Sequence, residues 1–136
     1  MTTAFNGLGL SDSALSLALD LWALIQVFDD IEDGHTPKSD EADRALVASL
    51  VGLPINRFYV QYREAIAPAL MVAIEKWKAA NQAEKSGAHD AKSFMWRAGF
   101  YDVLALICFL DGKPAAPALS LYGETYQDYM KEFDHA

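Results

Sequence analysis

The sequence predicts an all-α protein, an up-down antiparallel bundle of four to six helices that forms a single domain over residues 1–136. Apolar residues recur at helical spacings of three and four through most of the chain. No segment alternates polar and apolar residues as a half-buried strand does. The breaks between the helical stretches are short and contain glycine or proline, which favours antiparallel neighbours.

The first two helices are predicted at 10–33 and 39–51. Gly34 ends the first at the position where glycine commonly terminates a helix, and Gly52 and Pro54 break the chain after the second. The first helix has an apolar face at alternating spacings of four and three: Leu17, Leu21, Leu24, Phe28 and Ile31. The inner face expected for the second is Ala42, Ala45, Leu46, Ser49 and Leu50.

Three further helical stretches are predicted at 54–85, 90–110 and 118–133. Pro68 lies inside the first of these and is expected to kink or divide it. The second is apolar nearly all round, which indicates the most buried helix. The third carries an aromatic stripe: Tyr122, Tyr126, Tyr129 and Phe133. This stripe either packs onto the bundle or forms a homo-oligomer interface.

The composition limits the partners and the compartment. The formal net charge of -8 disfavours nucleic acid and anionic membrane surfaces, and it favours a divalent cation or a basic partner. The longest apolar run, 103–110, is far shorter than the roughly 20 residues of a membrane span, and the N-terminus lacks the features of a signal peptide. The lone Cys108 cannot form an internal disulfide, which fits a reducing, cytoplasmic setting.

Acidic residues occupy core-facing positions at the C-terminal end of the first predicted helix. At about 100° per residue, Asp29, Glu32 and Asp33 fall on its apolar face. Carboxylates at that end oppose the helix dipole at a cost of about 0.3–1 kcal/mol each. Bound Mg²⁺ or Mn²⁺, which prefer oxygen ligands, would offset this cost. A frayed, solvated helix end and pairing of the acids with Arg97 or lysines are the alternatives.

Polar residues also interrupt two later apolar faces. Asn81 and Glu84 continue the face of the third stretch, and Arg97 lies on an apolar face of the fourth. A buried arginine pairs with a carboxylate or binds phosphate through its fork of donors. In an up-down bundle these positions lie at one end of the molecule. The residues expected to converge there are Asp29, Glu32, Asp33, Asn81, Glu84, Asp90 and Arg97.

This convergence predicts a site that uses Mg²⁺ or Mn²⁺ to bind or hydrolyse a phosphate or diphosphate ester. The metal ligands would be Asp29, Glu32, Asp33 and Glu84. Arg97 and Asn81 would contact the phosphate.

Three resemblances, two local and one of overall architecture, accord with metal and phosphate chemistry. The run 29–33 resembles the aspartate-rich motif of trans-isoprenoid synthases, which implies Mg²⁺ held against a diphosphate. The order His35, His89–Asp90, Asp102 is similar to the metal-binding residues of HD phosphohydrolases. In length and in its carboxylates on neighbouring helices, the chain is similar to the all-α nucleotide pyrophosphohydrolases.

A broader resemblance implies a different function. The segments 22–30, 53–58 and 97–102, with Trp77 and Asn81, look like parts of small helical proteins that tailed phages and prophages encode. Those proteins carry no assigned activity. The resemblance implies a non-catalytic accessory or structural protein in the host cytoplasm, acting through helix-mediated contacts with a phage protein partner.

Overall fold

The computed structural model describes the backbone of residues 2–134 and the side chains of residues 4–132. Over these residues the protein is all-α, as predicted, and the described backbone contains no strand. The helices are α1 (Thr2–Asn6), α2 (Asp12–Glu32), α3 (Ser39–Val47), α4 (Leu53–Ile55), α5 (Arg57–Lys85), α6 (Ala91–Arg97), α7 (Phe100–Leu110), α8 (Ala116–Leu119) and α9 (Leu121–Asp134). A π-helical turn, Ala48–Gly52, joins α3 to α4. The chain forms two compact units, Met1–Arg63 and Glu64–Ala136, here called the N-terminal and C-terminal units.

The N-terminal unit is built around α2. The residues of α2 that are buried are Ala14, Leu17, Ala18, Leu21 and Val27. The ring of Phe5 on α1 packs edge-on against Trp22, with 5.8 Å between the centroids. Helix α3 and the π-helical turn pack against α2 and bury two alanines, Ala45 and Ala48. Small residues at these positions allow the helices to approach closely.

The apolar face predicted for the first helix is correct over its first half only. Leu17 and Leu21 are buried, but Phe28 and Ile31 are 54% and 55% exposed. Helical periodicity identifies the side of a helix that faces the core, but not how far along the helix its neighbours extend. The same limit applies to the second helix, where Leu46 and Leu50 are exposed instead of buried.

Helix α5 runs through the boundary between the two units. Its backbone leaves the helical conformation at Tyr62 (φ -115°, ψ 16°), whereas Pro68 lies inside the regular helix that follows. A proline removes the hydrogen bond to the carbonyl four residues earlier and crowds the preceding turn. The break therefore lies between one and two helical turns before the proline at which it was predicted.

The core of the C-terminal unit is formed mainly by α7. The residues of α7 that are buried are Phe100, Tyr101, Val103, Leu104, Ile107 and Cys108. The predicted helix 90–110 is divided at Ala98 and Gly99 into α6 and α7, which are bent by 52°. Taken singly, none of the helices in the described part of the chain has the length and hydropathy of a membrane span; α6 and α7 meet those limits only as a bent pair.

Candidate functional site

The residues predicted to form a site are divided between the two units. The N-terminal unit contains Asp29, Glu32 and Asp33, and the C-terminal unit contains Asn81, Glu84 and Arg97. The second group forms one hydrogen-bonded cluster.

The acidic residues of the N-terminal unit lie where α2 ends. Asp33 is exposed and caps the helix, with its N–H donating to the carbonyl of Asp29 at 2.9 Å. Asp29 and Glu32 are partly buried, and both are engaged in interactions. Between residues 4 and 132, no group of three or more histidine, cysteine, aspartate or glutamate side chains is arranged to hold a metal ion.

The cluster of the C-terminal unit is centred on an ion pair between α5 and α6. Arg97 donates from Nε to Glu84 Oε2 at 2.8 Å and from Nη2 to Glu84 Oε1 at 3.0 Å, a bidentate geometry. Arg97 Nη2 also donates to Asn81 Oδ1. The side chains of Arg97 and Glu84 are only 18% and 14% exposed. The face of Trp77 lies 6.0 Å from the guanidinium carbon, within range of a cation–π contact.

Two hydroxyl groups extend this cluster to α9. Tyr129 donates to Glu84 Oε2 at 2.9 Å, and its oxygen lies 2.8 Å from Ser93 Oγ. A carboxylate can only accept, so the phenolic proton belongs to the bond with Glu84. The single proton of the Ser93 hydroxyl then has two acceptors within reach, the Tyr129 oxygen and the carbonyl of Asp90 at 3.0 Å. Burial, reinforced by the hydrogen bond to Glu84 and its charge, raises the pKa of Tyr129 to about 12. Tyr129 is therefore a neutral donor at neutral pH.

Local sequence signals place these side chains. Gly87, with φ +90°, ends α5: its N–H donates to the carbonyl of Glu84, and the N–H of Ala88 donates to the carbonyl of Ala83. Three residues later Asp90 caps α6. Its carboxylate accepts from the N–H of Ser93 at 2.9 Å, and Ser93 Oγ accepts from the N–H of Asp90 at 2.9 Å.

We name the five residues Asn81, Glu84, Ser93, Arg97 and Tyr129 the polar brace. Its charges neutralise each other, and the carboxylate of Glu84 already accepts from two side chains on other helices. The brace thus joins α5, α6 and α9 through hydrogen bonds. Breaking one of them would leave a buried polar group unsatisfied and lower the free energy of unfolding. A phosphate that took Arg97 would have to displace Glu84 and leave that carboxylate buried.

Three members of the brace could be predicted from the sequence and two could not. Asn81, Glu84 and Arg97 were recognisable as polar residues on apolar faces. Ser93 lies three residues after Asp90, the spacing of a capping box, which could have placed its hydroxyl at the start of α6. Tyr129 was assigned to the aromatic stripe, and no sequence signal pairs it with Glu84, 45 residues away.

The residues that suggested an HD phosphohydrolase are not collected at one place in either unit. His35 is in the N-terminal unit, and His89 is in the loop before α6. Asp90 caps α6, and the hydrogen bond from the N–H of Ser93 lowers the pKa of its carboxyl. The exposed Asp102 accepts from Lys76 Nζ at 3.1 Å and from the hydroxyl of Tyr122 at 2.9 Å.

The aromatic stripe of α9 packs within the C-terminal unit. Phe94 on α6 is stacked on Tyr126, with 5.1 Å between centroids, and is tilted against Tyr129 at 5.2 Å. Tyr122 meets Phe94 edge-on at 6.1 Å. The side chain of Phe133 is outside the described residues. An oligomer through this stripe remains a prediction, and three of its four rings already have partners in their own unit.

A cleft of about 320 Å³ lies on the N-terminal unit. Its lining residues are Asn6, Leu19, Trp22, Ala23 and Arg44. Arg44 pairs with Asp20 at 3.3 Å, so the charge in this lining is already compensated.

The N-terminal unit also carries an exposed row of aliphatic side chains along α3, the π-helical turn and α4. We name this row the aliphatic stripe: Leu46, Val47, Leu50, Val51 and Ile55. Their exposed fractions range from 50% for Val51 to 71% for Ile55. Leu46 and Leu50 are four residues apart, as are Val47, Val51 and Ile55, the spacing of neighbours along a helix. No charged residue interrupts the segment between Arg44 and Arg57.

In comparisons with known proteins, no family model, no curated protein and no solved structure matches the chain.

Proposed function

We propose that this protein is non-catalytic and acts through helix-mediated protein contacts, as an accessory or structural protein. The observation that carries the proposal is the aliphatic stripe on the N-terminal unit. Five large aliphatic side chains are at least half exposed within ten consecutive residues, 46–55, on regular helical elements. Contiguous exposure of this kind is typical of protein interaction surfaces.

The physical reason is the free energy of hydration. Apolar surface removed from water contributes roughly 25 cal/mol per Å² to association. Ala45 and Ala48, on α3 and the π-helical turn, are buried where these elements pack against α2, so the large side chains cannot turn inward without displacing that contact. A partner that covered the stripe would remove this unfavourable exposure.

The polar brace supports the same proposal. Its ion pair is buried, bidentate and saturated by hydrogen bonds from α6 and α9, as expected of a group that fixes the arrangement of helices. The resemblance of several segments to small helical proteins of phages and prophages accords with an accessory role.

Site-specific photo-crosslinking tests the proposal. A photoreactive amino acid placed at Leu50 should give a covalent adduct of discrete mass in cells that contain the native partner. The same amino acid at Ser16, an exposed polar position on α2, should give none. The Leu50 adduct should also disappear when Leu46 is replaced by glutamate. If neither position gave a discrete adduct, or both gave the same adducts, the proposal would be wrong.

A further inference from the structure

We propose that Asn6 is a site of spontaneous deamidation, at which the backbone nitrogen of Gly7 attacks the Asn6 side chain and converts it to aspartate and isoaspartate. This modification site is separate from the aliphatic stripe and does not depend on the proposed function. The supporting observations are the glycine that follows Asn6, its place at the exposed end of α1, and the contacts of the other two asparagines of the chain.

The reaction consumes water and releases ammonia, without any change of oxidation state. The nitrogen of Gly7 loses its proton to the solvent and forms a bond to Cγ of Asn6. The bond between Cγ and Nδ2 then breaks, and that nitrogen leaves as ammonia. Water opens the resulting succinimide ring at one of its two carbonyls. One opening gives aspartate, and the other gives isoaspartate, in which the main chain continues through the former side chain.

The nitrogen of Gly7 is accessible for this attack. Glycine has no Cβ beside the nitrogen and lets the backbone rotate into the geometry that ring closure requires. Asn6 and Gly7 are both exposed, and Asn6 is the last residue of α1. The N–H of Gly7 donates to the carbonyl of Ala4, three residues earlier, at 3.2 Å. Bonds of this type have poorer geometry than those of an α-helix and helix ends fray, so opening this one exposed bond frees the nitrogen.

The other two asparagines have contacts that oppose the reaction. Asn56 donates from Nδ2 to the carbonyl of Ser13 at 3.0 Å and accepts from the N–H of Tyr59 at 2.9 Å, so its side chain is fixed at both polar atoms. Asn81 is only 8% exposed, lies inside α5 and accepts from Arg97. Neither residue is followed by glycine. The structure therefore singles out Asn6 among the three.

Deamidation changes the charge of the cleft on the N-terminal unit. Asn6 lines that cleft together with Trp22 and Arg44. Because Arg44 already pairs with Asp20, a carboxylate at position 6 gives the lining and its ion pair a net negative charge. Both products also carry one negative charge more than the -8 of the unmodified chain, so anion exchange separates them from it.

Peptide mapping by mass spectrometry tests the proposal on the full chain, kept folded in mildly alkaline buffer. Trypsin places the three asparagines in different peptides, 1–38, 45–57 and 79–85. The mass of the first should rise with time by the difference between an amide and a carboxylic acid, in two products that chromatography resolves. The other two peptides should stay unmodified over the same period. The rate at Asn6 should increase with pH, because the attacking nitrogen must lose its proton.

Gly7→Ala tests the role of the glycine. Gly7 is not among the glycines with positive φ, and an added Cβ would meet the carbonyl oxygen of Ala4 at an ordinary contact distance of 3.5 Å, so the fold should tolerate the change. The variant should slow the conversion of Asn6 severalfold. Gly123→Ala is the matched control, at a glycine with open space around it and no asparagine beside it, and should leave the rate unchanged. Circular dichroism checks that both variants stay folded.

The chain unfolded in urea supplies the reference rate. If Asn6 converted in urea but stayed unmodified in the folded chain over the same period, the end of α1 would protect it and the proposal would be overturned. Equal rates at Asn6, Asn56 and Asn81 in the folded chain, or a Gly7→Ala variant that reacts as fast as the native chain, would also overturn it. None of these outcomes bears on the adduct expected from the crosslinker at Leu50, so the two proposals stand or fall separately.

Discussion

At the scale of single residues, the ion pair between Arg97 and Glu84 is mostly buried, so the loss of either partner leaves the other charge in a poorly solvated place. Replacing Arg97 by methionine keeps the aliphatic volume but leaves the carboxylate of Glu84 mostly buried without its charged partner. We expect the free energy of unfolding to fall by about 3 kcal/mol, measured by urea denaturation. Arg97→Lys should fall between this variant and the native protein, because it keeps the charge but loses the bidentate geometry.

The matched control is the pair between Lys78 and Glu75, 3.4 Å apart on the exposed side of α5, with both side chains more than 60% exposed. Lys78→Met should change the free energy of unfolding by less than about 0.5 kcal/mol. Equal effects at Lys78 and Arg97 would contradict the structural role given to the brace.

Tyr129 should make stability depend on pH in the alkaline range. Its pKa is raised from the model-compound value of 10.0 to about 12 in the folded protein, chiefly because the ring is buried. Below pH 10 the hydroxyl is protonated in both folded and unfolded chains, and its contribution to stability is complete. Between pH 10 and pH 12 the unfolded chain releases the proton first, so the stability that Tyr129 contributes is lost as the pH rises.

Comparison with Tyr129→Phe isolates this effect. At pH 8 the variant should be less stable by about 1 kcal/mol, the value of a typical buried hydrogen bond. Above pH 10 its deficit should shrink, by up to about 1.4 kcal/mol per pH unit. Urea denaturation at several pH values from 8 to 11 measures the difference in the free energy of unfolding between Tyr129→Phe and the native protein. A deficit that stays constant across this range would show that the hydroxyl titrates alike in both states.

The sequence identifies polar residues of this site but not their partners. Asn81, Glu84 and Arg97 could be predicted because each interrupts an apolar helical face. The bonds of Tyr129 join residues 36 and 45 positions apart in sequence, and such contacts depend on the packing of α6 and α9. Periodicity within one helix does not encode the order in which helices pack.

At the scale of elements, the junction between α6 and α7 is held by Gly99 in a conformation that alanine also adopts. Its φ of -57° and ψ of -17° are helical, and an added Cβ would meet Ala73, Lys76 and Trp96 at ordinary contact distances of 3.5 Å. Gly99→Ala should therefore raise the free energy of unfolding by about 0.4–1 kcal/mol, because it restricts the unfolded chain. The measurement is again urea denaturation.

Gly34 is the matched control for this substitution. It ends α2 at φ +80°, a conformation that a side chain disfavours, so Gly34→Ala should lower the free energy of unfolding by about 1 kcal/mol. If both glycines responded in the same direction, backbone conformation would not explain the difference between them.

Glycine and proline signals predicted where elements end better than where they bend. Gly34 terminates α2 as expected, whereas Gly52 and Pro54, expected to break the chain, lie in helical backbone and the break falls at Asn56. The break in α5 was expected at Pro68 and occurs at Tyr62, because a proline indicates a disturbed turn without fixing which residue leaves the helix. The bend at Gly99 was not predicted. Asn56 caps α5 by accepting from the N–H of Tyr59 at 2.9 Å, a role that its position two residues after Pro54 did not reveal.

At the scale of the whole molecule, the helical class follows from the periodicity of the apolar residues, but the grouping of the helices does not. The boundary between the two compact units falls between Arg63 and Glu64, inside α5. The backbone leaves the helical conformation at Tyr62, beside this boundary, but no linker of glycine, proline or serine lies there for sequence reasoning to detect. The expected convergence of seven polar residues requires a helix order that periodicity does not specify. Of the seven, Asn81 and Glu84 each accept a hydrogen bond from Arg97.

The response of the whole chain to divalent cations separates the proposed function from a Mg²⁺-dependent site. Glu84 is held by Arg97 and Tyr129, and Asp33 is exposed at the end of α2, so we expect neither Mg²⁺ nor Mn²⁺ to raise the thermal midpoint. The measurement compares melts in EDTA with melts in about 5 mM metal, and NaCl of equal ionic strength controls for screening of the net charge of -8. A site half-saturated at about 50 μM would stabilise the fold by about 2.7 kcal/mol and raise the midpoint by several degrees. If the midpoint rose by that amount and Asp29→Ala abolished the rise, α2 would carry a cation site. Metal binding would then explain the acidic residues at that helix end better than solvation does, and phosphate esters would be the next ligands to test.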